Sequence, residues 1–524
     1  MRDKKKTPKA TDTWSLAPPF RQEGDFSWIA DLPVELHALT DCNEEAYRSR
    51  LRLFEDDRLL GPAHAVHENI RTSGRGAYSF WGSGLYFSTS DGTDPNVNGH
   101  AYSVVLPALR PQPKSPEAAV ELSWSAPPRL LRCALFGLGN RGAALGRLAQ
   151  SLPGVEITWV VDRSAERIAE APKLFGTGVK GTADLLEPLN DPAVDIVFVT
   201  VPDYLHRQVA EPAFRAGKHV FLEKPVATTA VDAMAIVSEW QRSGRVLQLG
   251  YVLRQAPFYA AIRKLVREDG LGPVRIASLS EQLDVRHGGT FMRRWHAQSN
   301  QSGGLMVHKG CHDLDIICWL LDARPRKVAS FGGLDTFGQP APAQFCSQCS
   351  RRGECPYVDT ALHERRASAE VLDPTAYGLD RCVFHAGKDI VDNQVVSFEL
   401  DSGIRGTFYL AVQGPTRSER RITLIGDQAR LDGVFEDGRF TVTFADTTRP
   451  PLIWTADGTS RGGHGGGDRI TMLEFLNACT GHSPPPIRNA EEALRGLIFA
   501  LAAEKARKGE TTVRLDEADF ALPG

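Results

Sequence analysis

The sequence predicts an α/β chain: a doubly wound parallel sheet, then an α+β region with a large, mostly antiparallel sheet, the whole preceded by a small β-rich module. Three observations predict it. From residue 130 strand-like and helix-like stretches alternate, the pattern of a parallel sheet with helices on both faces. Beyond Pro257 the alternation gives way to successive strand-like segments. Before residue 130, six prolines between residues 106 and 128 block both helix and central strand, and so detach what comes earlier.

In chain order, residues 1–13 are polar and lysine-rich and read as a disordered tail. Residues 14–105 form the β-rich module, with aromatic runs Tyr78-Ser79-Phe80-Trp81 and Leu85-Tyr86-Phe87 separated from 102–105 by the turn-prone Ser90-Asp91-Gly92. Trp81, Tyr86 and Phe87 can stack on a sugar, although such aromatics more often fill a core. Residues 106–128 are the linker. Within 129–252, strands are expected at 131–136, 156–161, 196–201, 219–222 and 246–250, and helices at 141–151, 206–216 and 229–243. Within 253–524, a helix to about residue 268 precedes strands near 274–283, 394–400, 406–412 and 421–425, and a helix at 469–479 follows a glycine-rich run at 462–467. That run is either a flexible connector or a cover over a ligand, with His464 inside it.

Composition narrows the partners. The chain has 524 residues, 61 basic against 64 acidic side chains and 42% hydrophobic content. Near-neutral charge gives no field for nucleic acid or an anionic membrane, so a small molecule is the expected ligand. The longest apolar runs fall well short of the roughly 20 residues that span a bilayer, and no apolar stretch follows the N-terminal lysines, so a cytoplasmic protein is expected.

The chemistry begins at Gly137-Leu138-Gly139-Asn140-Arg141-Gly142, between the first expected strand and helix, with Asp162 twenty residues beyond the last glycine. Gly137 permits the tight turn, Gly139 lets main chain approach a pyrophosphate, Gly142 lets helix pack on strand, and the helix N-terminus offers free N–H groups. The arrangement reads as a Rossmann dinucleotide site rather than a glycine-rich surface turn. The Asp162 carboxylate accepts from adenosine ribose hydroxyls and repels a 2′-phosphate, favouring NAD over NADP; Arg163, turned inward, would instead clamp that phosphate.

Glu223-Lys224-Pro225 ends the strand 219–222, at the sheet edge where ligand-binding groups gather. Lys224 can exchange a proton with a substrate hydroxyl, and Glu223 can orient it. Together with Ala216-Gly217-Lys218-His219-Val220, Thr200-Val201-Pro202 and His206, these residues resemble the signature of the Gfo/Idh/MocA family of nicotinamide-dependent oxidoreductases, a resemblance that covers residues 130 to about 510. It implies that Thr200, Pro202 and His206 stand beside the cofactor, and that Lys224 touches both nicotinamide ribose and substrate.

A second cluster, His308-Lys309-Gly310-Cys311-His312, opens an apolar helix. Histidines four apart on one helical face could bind zinc, but the intervening Glu of a metalloprotease is missing. The stretch looks like the family's second catalytic motif, in which an aspartate and a histidine lie four residues apart. His312 matches the histidine and is expected as acid/base partner of Lys224. His308 stands where the aspartate usually is, and with Lys309 is expected to bind substrate oxygens or assist transfer. Arg254, Arg293, Arg294, Trp295 and His296 lie in segments that the resemblance brings to the substrate, where Arg and Trp suit a sugar.

Cys346, Cys349, Cys355 and Cys382, in an insertion at about 340–392, have the spacing C-x2-C-x5-C with a distant fourth. A closed structural zinc site is expected, with an iron–sulfur cluster or free thiols as alternatives. The function expected overall is hydride transfer between NAD and a secondary hydroxyl or carbonyl carbon of a sugar or cyclitol. Alternatives are oxidation-assisted glycoside cleavage and a cofactor-bound sensor or glycan-binding scaffold. The open sheet of the second half also predicts a homo-oligomer.

Overall fold

The structure, a computed structural model, describes residues 12–42, 49–106, 122–358, 380–414, 417–447, 449–456 and 463–522. Most of the expected tail and linker, and residues 359–379 of the cysteine insertion, lie outside the described residues. The chain divides into two compact units, 1–115 with 443–452, and 116–442 with 453–524.

The first unit holds two four-stranded sheets. One orders Thr13–Leu16, Tyr102–Val105, Arg52–Glu55 and Arg58–Leu59; the other orders Arg21–Gln22, Trp28–Asp31, Gly84–Phe87 and Tyr78–Trp81. Among its described residues every ladder is antiparallel. Its core is aromatic, with Phe20 meeting Phe87 and Tyr102 edge-on at 5.4 and 5.7 Å. Phe87 is therefore core, whereas Trp81 and Tyr86 stay partly exposed and His67 stacks on Tyr86 at 4.0 Å.

The second unit begins with a six-stranded sheet in the order Lys180–Thr182, Val155–Val161, Leu131–Phe136, Ile196–Val199, His219–Leu222, Leu247–Leu249, every pair parallel. Helices cover both faces, which explains the unbroken apolar runs in the central strands. The chain winds outward from Leu131–Phe136 in one direction, then returns and winds outward in the other. The crevice where it reverses lies between the ends of Leu131–Phe136 and Ile196–Val199, so Gly137 and Thr200 become neighbours.

A nine-stranded sheet follows, in the order Leu452–Thr455, Arg439–Phe444, Ala429–Val434, Glu419–Gly426, Val274–Asp284, Arg405–Gly414, Asn393–Leu400, Pro325–Gly333, Val513–Arg514. It is mixed: Val274–Asp284 runs parallel to Arg405–Gly414 and antiparallel to Glu419–Gly426. Alternate residues such as Val396, Phe398, Phe408 and Leu410 bury one face, where Phe398 meets Phe499 of the helix Ala490–Gly509 at 5.3 Å. The opposite face leaves Phe331, Val395 and Tyr409 exposed in register. Among the described residues no helix is long and apolar enough to cross a membrane.

Candidate active site

One cavity of about 1020 Å³ in the second unit runs from the glycine turn past the end of His219–Leu222 to the helical segment after Gly304, and Gly137, Asp162, Thr200, Lys224, Trp295, His308, His312 and His464 all line it. The glycine turn is shaped by main-chain crowding. Gly137 has φ +94°, and a Cβ there would stand 2.8 Å from Thr200 O; a Cβ on Gly142 would collide with Gly137 O. The Thr200 hydroxyl donates to Gly137 O at 2.7 Å and locks the two strand ends together. The helix Asn140–Gln150 starts at Gly139 without a side-chain cap, leaving its first N–H groups turned to the cavity for an anion. These features fit a dinucleotide: main chain bare of side chains, unspent donors and a closing acid.

Asp162 is that acid. It accepts from Leu138 N and Ser164 N at 2.9 Å each and pairs with Arg167 at 3.2 Å. Arg163 is exposed at the cavity rim, and Arg167, which the sequence reading passed over, is the basic residue held against Asp162. Leu138 and Gly142 shape the turn without lining the cavity.

Arg141 lines the cavity beside the glycine turn, its guanidinium committed to two carboxylates. Its Nε donates to Glu223 at 2.5 Å and its guanidinium pairs with Asp468 at 2.8 Å; burial pushes the Asp468 carboxyl up, but the hydrogen bond from His464 and the pairing with Arg141 outweigh it and hold the group well below its ordinary range. Asp468 in turn lies 3.1 Å from His464 Nδ1. The glycine-rich run makes this possible: His464, Gly465 and Gly466 adopt φ +52°, +62° and +88°, swinging His464 to within 5.9 Å of the His312 ring. The run thus helps to wall the cavity.

On the other side, Met306–Gly310 is a single π turn that leads into the helix Cys311–Leu321. Such turns concentrate at functional sites. Lys224 Nζ donates to His308 O at 2.6 Å, tying the strand-end lysine to this turn. His308 Nδ1 lies 2.5 Å from Asp203 Oδ2, so a carboxylate does stand beside position 308, but it comes from the start of the 203–215 helical segment. Phe291, Trp295 and His296 pack around the His308 ring at 5.3, 5.1 and 4.5 Å. His312 is buried, its Nδ1 without a partner among the described residues, and the Tyr251 hydroxyl nearby is likewise unpartnered. Burial, reinforced by the field of Lys224, pushes His308 and His312 well below the usual imidazole range.

Other expected residues stand elsewhere. Arg254 does not line this cavity: it is buried in a bidentate pair with Asp315 at 2.6 and 2.7 Å and reaches Glu492 at 3.2 Å, a structural clamp. His206 sits beneath the wall, its ring nitrogens 2.8 Å from Pro225 O and 3.2 Å from Val201 O, where it braces the cofactor loop without touching the cavity. Lys309 lines the cavity but is spent on Glu281 at 3.0 Å, within a buried network where Arg420 bridges Glu281 and Asp313. Arg293 donates to Tyr357 O, holding the insertion against the cavity edge.

The zinc expectation is not supported. Cys346, Cys349, Cys355 and Cys382 are free thiols, and among the described residues no three metal-binding side chains converge on one point. The bridge from Phe345 to Arg381 does draw Cys346 and Cys382 onto adjacent segments. Cys346 Sγ nevertheless faces Arg381 O at 4.0 Å. What fastens the insertion is an aromatic cluster of Phe337, Tyr357 and Phe384, with centroids 5.0–5.9 Å apart.

Comparison with known proteins agrees with the geometry. Residues 131–251 match the oxidoreductase family with an NAD-binding Rossmann fold, and residues 263–515 match that family's C-terminal alpha/beta domain. YteT of Bacillus subtilis (strain 168), which carries an oxidoreductase name, is 28% identical over 353 residues, 61% of this chain and 82% of its own length. The scyllo-inositol 2-dehydrogenase (NAD(+)) of the same organism is 27% identical over 204 residues, which span 38% of this chain and 57% of that enzyme. Levoglucosan dehydrogenase in complex with NADH and L-sorbose shares the fold, with a TM-score of 0.59 at 19% identity over 74% of this chain and 99% of its own. Because the two family matches together take up most of its length, the chain belongs to the Gfo/Idh/MocA family of oxidoreductases.

Proposed function

We propose that this protein transfers a hydride between NAD and a secondary hydroxyl or carbonyl carbon of a sugar or cyclitol. The observation that carries the reading is the continuity of the cavity: the glycine turn and Asp162 open into the same space as Lys224, His308 and His312. Gly137, Gly139, Asn140, Asp162, Thr200 and Pro202 would hold NAD, which supplies the hydride acceptor. Asp162 favours NAD because a 2′-phosphate would meet its carboxylate, with Arg163 and Arg167 the residues that temper this preference.

Lys224 is the proton carrier in this reading. Its ammonium is anchored by His308 O, its main-chain N–H by Glu223 at 3.2 Å, and Glu223 by Arg141. His312 offers a ring with an unspent nitrogen, and Tyr251 an unspent hydroxyl, to a hydroxylated ligand. Trp295 supplies a stacking face. The dehydrogenase names of the relatives support a polyol substrate. Purified protein given NAD and a panel of cyclitols and sugars should produce NADH with at least one of them, and Lys224→Ala should abolish that while keeping NADH bound. A panel without any turnover by the wild type speaks against the reading.

The exposed row Phe331, Val395 and Tyr409 supports pairing of copies through the open sheet face. Light scattering on the purified chain tests this, and a monomer at high concentration excludes it.

A further inference from the structure

We propose that Asp203 is a positioning residue that, through its hydrogen bond to Nδ1, makes His308 a proton acceptor for the substrate hydroxyl. The inference rests on the hydride-transfer reading above. It starts from a difference between the two histidines of the cavity. Among the described residues no carboxylate stands against the His312 ring, whereas His308 Nδ1 lies 2.5 Å from Asp203 Oδ2. A carboxylate there accepts Nδ1–H, fixes that tautomer and leaves Nε2 as the unprotonated atom, while stabilising the imidazolium that forms when Nε2 takes a proton. His312 lacks that support and is suited to binding.

The surroundings hold this arrangement. Asp203 is buried and lines the cavity, in the short helical turn Asp203–Leu205 that follows Pro202. Phe291, Trp295 and His296 confine the ring, and Lys224 holds the carbonyl of the same residue. In the oxidative direction the hydroxyl O–H bond breaks; Lys224 takes that proton and gives one of its own to His308 Nε2, so the lysine carries the proton and the histidine is where it comes to rest. The carbinol C–H bond leaves as hydride to NAD, and the remaining O–H electron pair closes the C=O bond. In reduction every transfer reverses.

The groups facing the pair are His206, Glu223, Lys224, His296, Lys309 and Arg294. Burial raises the Asp203 carboxyl to about 7, with His206 and Lys224 opposing the rise and Glu223 adding to it. Oxidation needs Asp203 ionised and His308 free, so kcat for oxidation should climb as pH rises through about 7.

The test is Asp203→Asn, read in two ways. In the unliganded protein, nitrogen-15 histidine spectra should include, among the rings in the Nδ1–H tautomer, one with a low-field proton that is lost in the variant while those of the other histidines stay. In turnover, kcat at saturating NAD and polyol should fall by about 10²–10⁴-fold with NADH affinity retained, and the rise through neutral pH should disappear. His308→Gln serves as the second variant should Asp203→Asn fail to fold, and should lose the same signal and the same limb. A tautomer signal and pH profile unchanged in Asp203→Asn would overturn the proposal, as would a pH profile unchanged in His308→Gln. Should the wild type turn over no polyol, the hydride-transfer reading fails, and the tautomer spectra alone then decide whether Asp203 positions His308.

Discussion

The wall of the cavity around the glycine turn is made largely of main chain, whereas the opposite wall is made of side chains gathered from distant stretches. On the first, Gly137, Gly139 and the uncapped helix start contribute by lacking side chains, and the strand ends meet through Thr200 and two carbonyls. On the second, His308 depends on Asp203, Lys224 on a carbonyl 84 residues away, and His464 on Asp468 and Arg141. Main chain can recognise a pyrophosphate common to all dinucleotides, and side chains are needed where one polyol must be told from another. The first wall is the general part of the enzyme and the second the particular part.

The comparison can be broken in order of effect. Lys224→Ala removes the group that joins the walls and should cut kcat by about 10²–10⁴-fold in steady-state assays while NADH still binds. On the side-chain wall, Glu281→Gln leaves Lys309 and Arg420 without their shared buried carboxylate. It should cost about 3–5 kcal/mol in urea unfolding, since one partner of a buried charge network is removed. On the main-chain wall, Gly142→Ala forces a methyl against Gly137 O. About 1–3 kcal/mol of overpacking should appear chiefly as weakened NADH binding in a fluorescence titration. Smallest is Asp162→Asn, which should move the NAD/NADP affinity ratio by about tenfold toward NADP, or about 1.4 kcal/mol, in competition titrations. An unchanged ratio would transfer cofactor choice to Arg163 and Arg167.

The same division governs what could be read before the fold was known. Motifs on the main-chain wall are local: strand Leu131–Phe136, the glycines and Asp162 fall within about one βαβ unit, whose spacing is dictated by covalent geometry. The strand His219–Leu222 and the lysine after it were legible for the same reason. Asp203 was not, because its partner His308 lies 105 residues away, and neither was the reach of Asp468 to the distant Arg141; Arg167 and Tyr251 sit in local sequence that carries no motif. Arg254 illustrates the converse error: its segment lies near the cavity, but Asp315 and Glu492 claim it. The helix Ala490–Gly509 escaped notice because it is buried nearly all round and so shows no apolar stripe, and Ala165–Phe175 because Pro172 interrupts its pattern. The cysteines show that spacing allows a metal site without aiming the sulfur atoms.

The most direct test of the account is a titration of the purified chain with NADH, followed by coenzyme fluorescence, with and without a saturating cyclitol. Saturable uptake at one site per chain, altered by the cyclitol and weakened by Gly142→Ala, is the predicted result. Failure to take up NADH or NADPH under any of these conditions would contradict it.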